Sequence, residues 1–137
     1  VLLAKRHGIV LRQTYVRQGP GLSRKAGRHA HARQFKRMRK VLRRQRTILG
    51  RVSRDLQRKL DQREPTVRER IGVWLERAQR LLTQRPKDKQ KLYALHTPEV
   101  ECMSKGKARQ PYECGVKVGI AVSARKGLIV GARSFPG

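Results

Sequence analysis

From Tyr112 onward the residues Tyr112, Cys114, Val116, Val118, Ile120 and Val122 fall at every second position, with Glu113, Gly115, Lys117, Gly119 and Ala121 between them. That is the period of a strand buried on one face. A second apolar run, residues 128–132, follows the turn-like Ser123-Ala124-Arg125-Lys126-Gly127 and continues until Pro136-Gly137 stops it. The pattern predicts an antiparallel hairpin. Two strands alone are marginal in water, so the rest of the chain has to extend or cover this one.

What precedes it reads as helix. Val1-Leu2-Leu3-Ala4-Lys5-Arg6-His7 resembles the tail of a helix closed by Gly8, and its abrupt start at Val1 suggests an interior cut. Ile9, Leu11, Tyr15 and Val16 suggest a short extended piece before a break at Gly19-Pro20-Gly21. Between residue 23 and about residue 62, Phe35, Met38, Val41, Leu42, Ile48, Leu49, Val52, Leu56 and Leu60 recur at three- and four-residue steps. This predicts one long amphipathic helix, with Gly50 its weakest point. Glu64-Pro65 ends it, and Thr66 with Glu69 has the spacing of a capping box opening a second helix on Val67, Ile71, Trp74, Leu75, Ala78, Leu81 and Leu82. The two should pair as an antiparallel hairpin.

Residues 85–91 are a polar linker containing Pro86. Residues 92–96 and 100–103 are short strand candidates, and residues 104–111 form a basic loop. The expected fold is α+β: a long basic helical hairpin followed by an antiparallel β-hairpin. Its parts are residues 1–21, a helix end and connection; residues 22–91, the basic helical block and linker; and residues 92–137, the β-rich part.

Charge decides the function class. The chain of 137 residues carries 35 Lys and Arg against 9 Asp and Glu, a net charge of +26. Residues 24–63 hold sixteen of those bases with only Asp55 and Asp61 to offset them. Like charges this dense repel one another by a few tenths of a kcal/mol per close pair, which a polyanion relieves. Nucleic acid is the expected partner, because neutralising phosphates releases condensed counterions. Arg33, Lys36, Arg37, Lys40, Arg43 and Arg44 on the helix, with Lys105, Lys107 and Arg109 in the basic loop, are the candidate DNA contacts. Aromatic residues make up 4% of the chain, too few for a base-stacking platform, so contact through duplex phosphates is the expectation. No stretch approaches the roughly 20 apolar residues of a membrane span, and Lys5, Arg6 and His7 interrupt any signal-peptide region. A cytoplasmic, nucleoid-associated protein is expected.

The chemistry-bearing residues invite less. Cys102 and Cys114, with eleven residues between them, lack metal-ligand spacing and read as two reduced thiols packed as small hydrophobes. Glu99 and Glu101, two apart on one expected strand, and Glu113, opposing the apolar face of its own, read as ion-pair partners rather than a metal or acid–base site. His29, His31 and His96 have no ligand set beside them. The loop Lys105-Gly106-Lys107-Ala108-Arg109 lacks the frame of a nucleotide cradle. No catalytic or metal-binding residue is assigned.

Several separated blocks nevertheless resemble one family in order and spacing. They are Lys91-Leu92-Tyr93-Ala94-Leu95-His96-Thr97-Pro98-Glu99-Val100-Glu101-Cys102, Lys105-Gly106-Lys107-Ala108, Pro111-Tyr112-Glu113-Cys114-Gly115-Val116-Lys117-Val118 and residues 127–137, with Gln13-Thr14-Tyr15-Val16-Arg17 and Gln34-Phe35-Lys36-Arg37 upstream. Together they resemble bacterial insertion-sequence transposases with a DDE catalytic domain. The resemblance implies an RNase H-like domain whose two Asp and one Glu hold Mg²⁺ or Mn²⁺ for DNA cleavage and strand transfer, oligomeric on DNA. It places those acids upstream of the region matching Val1 and downstream of the region matching Gly137, so none is carried onto a position here. The helical block would be an insertion, the terminal hairpin the second and third strands, and the chain an inactive internal fragment that holds no metal itself. A small basic structural protein of the ribosome or nucleoid is the alternative that charge alone allows.

Overall fold

In the computed structural model, which describes residues 1–106 and 112–135, the chain is α+β, with four helices and two small antiparallel sheets. It divides into two compact units, Val1–Thr83 and Gln84–Gly137.

The first unit is helical: α1 (Leu2–Arg6), α2 (Gln18–His31), α3 (Phe35–Leu60) and α4 (Pro65–Thr83). Gly8 ends α1 as expected. It sits at φ 63°, donating to the Lys5 carbonyl at 3.1 Å while Ile9 donates to that of Ala4 at 2.9 Å. Those two bonds form a Schellman motif, and the apolar contact that accompanies it, Ile9 with Ala4, is part of the core. With Leu56, Leu60 and Ile71 these residues form the buried cluster, and Leu3, Leu11, Val67 and Leu75 pack around it.

The long helix expected over residues 23–62 is two helices, and the break is not at Gly50. It falls at Arg33, which takes the left-handed conformation at φ 54° while Gln34 donates to the His29 carbonyl at 2.8 Å and Arg33 to that of Ala30 at 3.0 Å. This is a second Schellman motif with arginine where glycine is usual, so no residue type announced it. Gly50 is buried inside α3, where a Cβ would lie 3.9 Å from Leu82 and 3.3 Å from Arg54 Nη1. Its small size brings α4 close. Arg46 also donates to the Leu82 carbonyl, so the antiparallel pairing of α3 and α4 is as expected.

Two further expectations fail for one reason. Gly19-Pro20-Gly21 is the first turn of α2 rather than a break, and Pro65 opens α4, so Thr66 lies inside the helix and is no N-cap. A proline early in a helix removes an N–H that has no intrahelical partner in any case.

In the second unit, Glu101–Ser104 (β1) pairs with Tyr112–Gly115 (β2), and Lys117–Val122 (β3) pairs with Ile129–Phe135 (β4). The alternation from Tyr112 to Val122 therefore spans two strands in two sheets. Period two reports a pleated backbone and not its partner, which changes across Val116. The 123–127 turn is as expected, Ser123 donating to the Leu128 carbonyl at 2.8 Å, and Val130 enters as a bulge. Residues 92–96 form no strand. The Gln84 side chain instead takes both backbone groups of Leu92, accepting its N–H at 2.9 Å and donating to its carbonyl at 3.1 Å.

Candidate nucleic-acid interface

The helix α3 carries eleven Lys and Arg and one acid, Asp55. Burial of Val41, Gly50, Leu56 and Leu60 against the rest of the unit turns Lys36, Arg37, Lys40, Arg43, Arg44, Arg51, Arg54 and Arg58 to solvent. Of the residues expected to contact DNA, the structure gathers Arg33, Lys36 and Arg37 around the first turn of α3. Arg37 Nη1 donates to Gln34 Oε1 at 3.2 Å, and His29 Nδ1 lies 3.1 Å from the same oxygen. Further along, Arg44 Nη2 donates to Gln18 Oε1 of α2 at 3.3 Å. These partners are neutral amides, so the guanidinium charge is not cancelled. Lys105 follows β1 in the other unit and is exposed, and Lys107 and Arg109 lie outside the described residues.

A second basic site was not foreseen. Arg51, Arg54 and Arg58 stand three and four residues apart on one face of α3 and line an open cavity of about 420 Å³ with Arg12, Gln13, Tyr15 and Asp55. What brings Arg12 and Tyr15 there is the course of the connection between α1 and α2. Arg12 N–H donates to Asp55 Oδ2 at 2.8 Å, Lys59 Nζ to the Val10 carbonyl at 2.5 Å and Arg63 Nη2 to the Gly8 carbonyl at 3.2 Å. Asp55 and Lys59 of α3, and Arg63 just past its end, thus meet backbone at two-residue steps. Between Asp55 and Lys59 the helix rises about 6 Å, within reach of backbone groups two residues apart. Residues 9–16, where Ile9, Leu11, Tyr15 and Val16 suggest a short extended piece, form no strand and run as an irregular connection held by Asp55, Lys59 and Arg63.

Asp55 keeps this arrangement charged. The Arg12 N–H bond holds its carboxyl below the ordinary carboxylate range against the cost of desolvation, helped by Lys59 at 3.3 Å and Arg58 at 3.6 Å. One carboxylate faces four guanidinium groups around the cavity, and Arg51 Nη1 donates to the hydroxyl of Tyr15 at 3.3 Å. Oxyanions that can offer two oxygens to one planar guanidinium fork, phosphate above all, suit such a set of side chains.

No protein-family model, curated protein or solved structure matches this chain.

The acidic residues take up positions of their own. Glu99 falls in a turn rather than on a strand, while Glu101 and Glu113 share one face of the β1–β2 sheet through the pairs Glu101 with Gly115 and Met103 with Glu113. Among the described residues no three His, Cys, Asp or Glu side chains converge to hold a metal ion. The two Asp and one Glu by which the family resemblance would hold divalent ions have no counterpart cluster among the described residues. Cys102 and Cys114 are not packed in a core: Cys114 is exposed, Cys102 half-buried, and the two are paired across the sheet. Local desolvation, then the hydrogen bond shared with Cys102, pushes the Cys114 thiol up. No helix among the described residues is long and apolar enough to cross a membrane.

Proposed function

We propose that this chain binds duplex DNA through its phosphates, as an internal part of a DDE-type transposase. The arginine cavity carries the binding half of that reading. A stripe of three guanidinium groups spanning about 10 Å of helix, joined by a fourth from a neighbouring segment, offers several phosphates neutralisation at once. Lys36, Arg37, Lys40, Arg43 and Arg44 extend the same charge toward the start of α3. The transposase half rests on the resemblance of the blocks quoted above. It would make the β-rich unit a portion of an RNase H-like sheet, with catalytic acids and Mg²⁺ or Mn²⁺ supplied elsewhere in an assembly oligomeric on DNA, nucleoid-associated in the cytoplasm.

A second reading, a small structural protein on RNA or DNA, is favoured by one observation. The unit Val1–Thr83 encloses its own apolar cluster from α1, α3 and α4.

One titration separates them. Affinity for duplex DNA should fall linearly on a logarithmic salt scale, and replacing Arg51, Arg54 and Arg58 together by Gln should flatten that slope by about 2.7, roughly equally for unrelated sequences. Structured RNA competing at tenfold lower concentration than duplex DNA would favour the second reading. Affinity indifferent to salt would remove both.

A further inference from the structure

Cys102 and Cys114 are directly opposite each other in the β1–β2 ladder, flanked by the pairs Met103 with Glu113 and Glu101 with Gly115. Residues facing each other across an antiparallel pair have Cα atoms about 4.5 or 5.5 Å apart, according to the kind of pair. Both values lie inside the roughly 4.4–6.8 Å that a disulfide spans. Opposed residues also project from the same face, and the two thiols share a hydrogen bond. Both are free, and Cys114 is exposed to a small reagent.

We propose that Cys102 and Cys114 form a dithiol site that closes to a cross-strand disulfide by exchange with small-molecule disulfides. The Cys114 thiolate attacks one sulfur of the reagent RS–SR, forming a Cys114–SR bond and releasing RS⁻. The Cys102 thiolate then attacks the Cys114 sulfur, forming the Cys102–Cys114 bond and expelling the second RS⁻. The two protons from the cysteines end on the two released thiols, so the protein loses two electrons and the reagent gains them. Attack begins at Cys114 because it is the more exposed, and it ends at Cys102 because pairing holds that sulfur beside the mixed disulfide. The bond would pin the register of a four-residue ladder that has no further strand beside it among the described residues.

The test is to treat the reduced chain with oxidised glutathione at mildly alkaline pH and follow intact mass and free thiols. Expected is the loss of both thiols, a monomer lighter by two hydrogen atoms, and a digest peptide pair joined through Cys102 and Cys114. The single variants C102S and C114S should each stop at one glutathione adduct. Closure of the mixed disulfide should slow at least about tenfold in guanidinium, where the ladder no longer sets the effective concentration. A wild-type chain that accumulates the adduct, or forms intermolecular disulfides, overturns the proposal. So does one that closes as fast unfolded as folded.

Discussion

Asp55 is the buried charged side chain among the described residues, and its ionised form is the one the fold favours. Its carboxyl lies below the ordinary value of 3.8 in the folded chain because Arg12 N–H donates to it. The stability it contributes is therefore present above that ordinary value and is lost as pH falls through the lower folded one. Thermal unfolding followed by circular dichroism should show the wild-type melting temperature dropping on the acid side of pH 3.8, while Asp55→Asn melts lower at neutral pH and has a flatter acid limb. A wild-type-like acid limb in the variant would assign the loss to other carboxylates. At Arg33 the opposite change helps. A left-handed residue with a Cβ is strained, so Arg33→Gly should raise stability by about 1 kcal/mol in urea unfolding. A destabilised variant would mean that the arginine side chain contributes more than its backbone costs.

Among the elements, the β3–β4 hairpin depends on one aromatic ring. A Cβ built on Gly119 would meet Phe135 Cε2 at 2.8 Å, so the ring lies over the bare glycine, with the guanidinium of Arg133, the residue of β4 opposite Gly119, 5.6 Å from its centre. Covering a strand glycine with an aromatic neighbour restores the side-chain contact the glycine lacks. Phe135→Ala should weaken the hairpin by roughly 0.5–1 kcal/mol, seen as faster amide exchange at Val118 and Ile120 with α3 unchanged. Unchanged exchange in the hairpin would show that the ring is ornamental. Elements of this kind were legible in the sequence where one residue type does one job. Gly8 ends α1, the 123–127 turn returns the chain, and the apolar residues of α3 and α4 choose the buried faces. What stayed hidden depends on partners. Arg33 terminates a helix that its side chain does not mark, Gln84 satisfies Leu92 in place of a strand, and the arginine cavity exists only because Asp55, Lys59 and Arg63 guide the preceding connection. The cation stripe at 51, 54 and 58 was readable as spacing, whereas Arg12 and Tyr15 were not.

At the scale of the molecule, apolar burial is divided unevenly. The helical unit holds the cluster of Ala4, Ile9, Leu56, Leu60 and Ile71, and the second unit reaches Gln84 through an exposed polar stretch. Limited trypsin digestion should cut first at Lys87 and Lys89, leaving a helical product that still melts cooperatively. Loss of the helical signal together with the first cut would show that the units do not stand apart. The hairpin of the second unit has its own physical character. Val118, Ile120, Val122, Ile129 and Val130 are each more than half exposed, on strands whose outer edges have no neighbouring strand among the described residues. At low ionic strength, a net charge of +26 keeps copies of the chain from approaching closely enough for those edges to meet. Raising salt to 1 M shortens the reach of that repulsion to about 3 Å, less than the spacing between paired strands. On the DNA-binding reading proposed above, salt would act twice: the ions that release the chain from a polyanion also remove the barrier to its own strands stacking, so colloidal stability and DNA affinity would decline together.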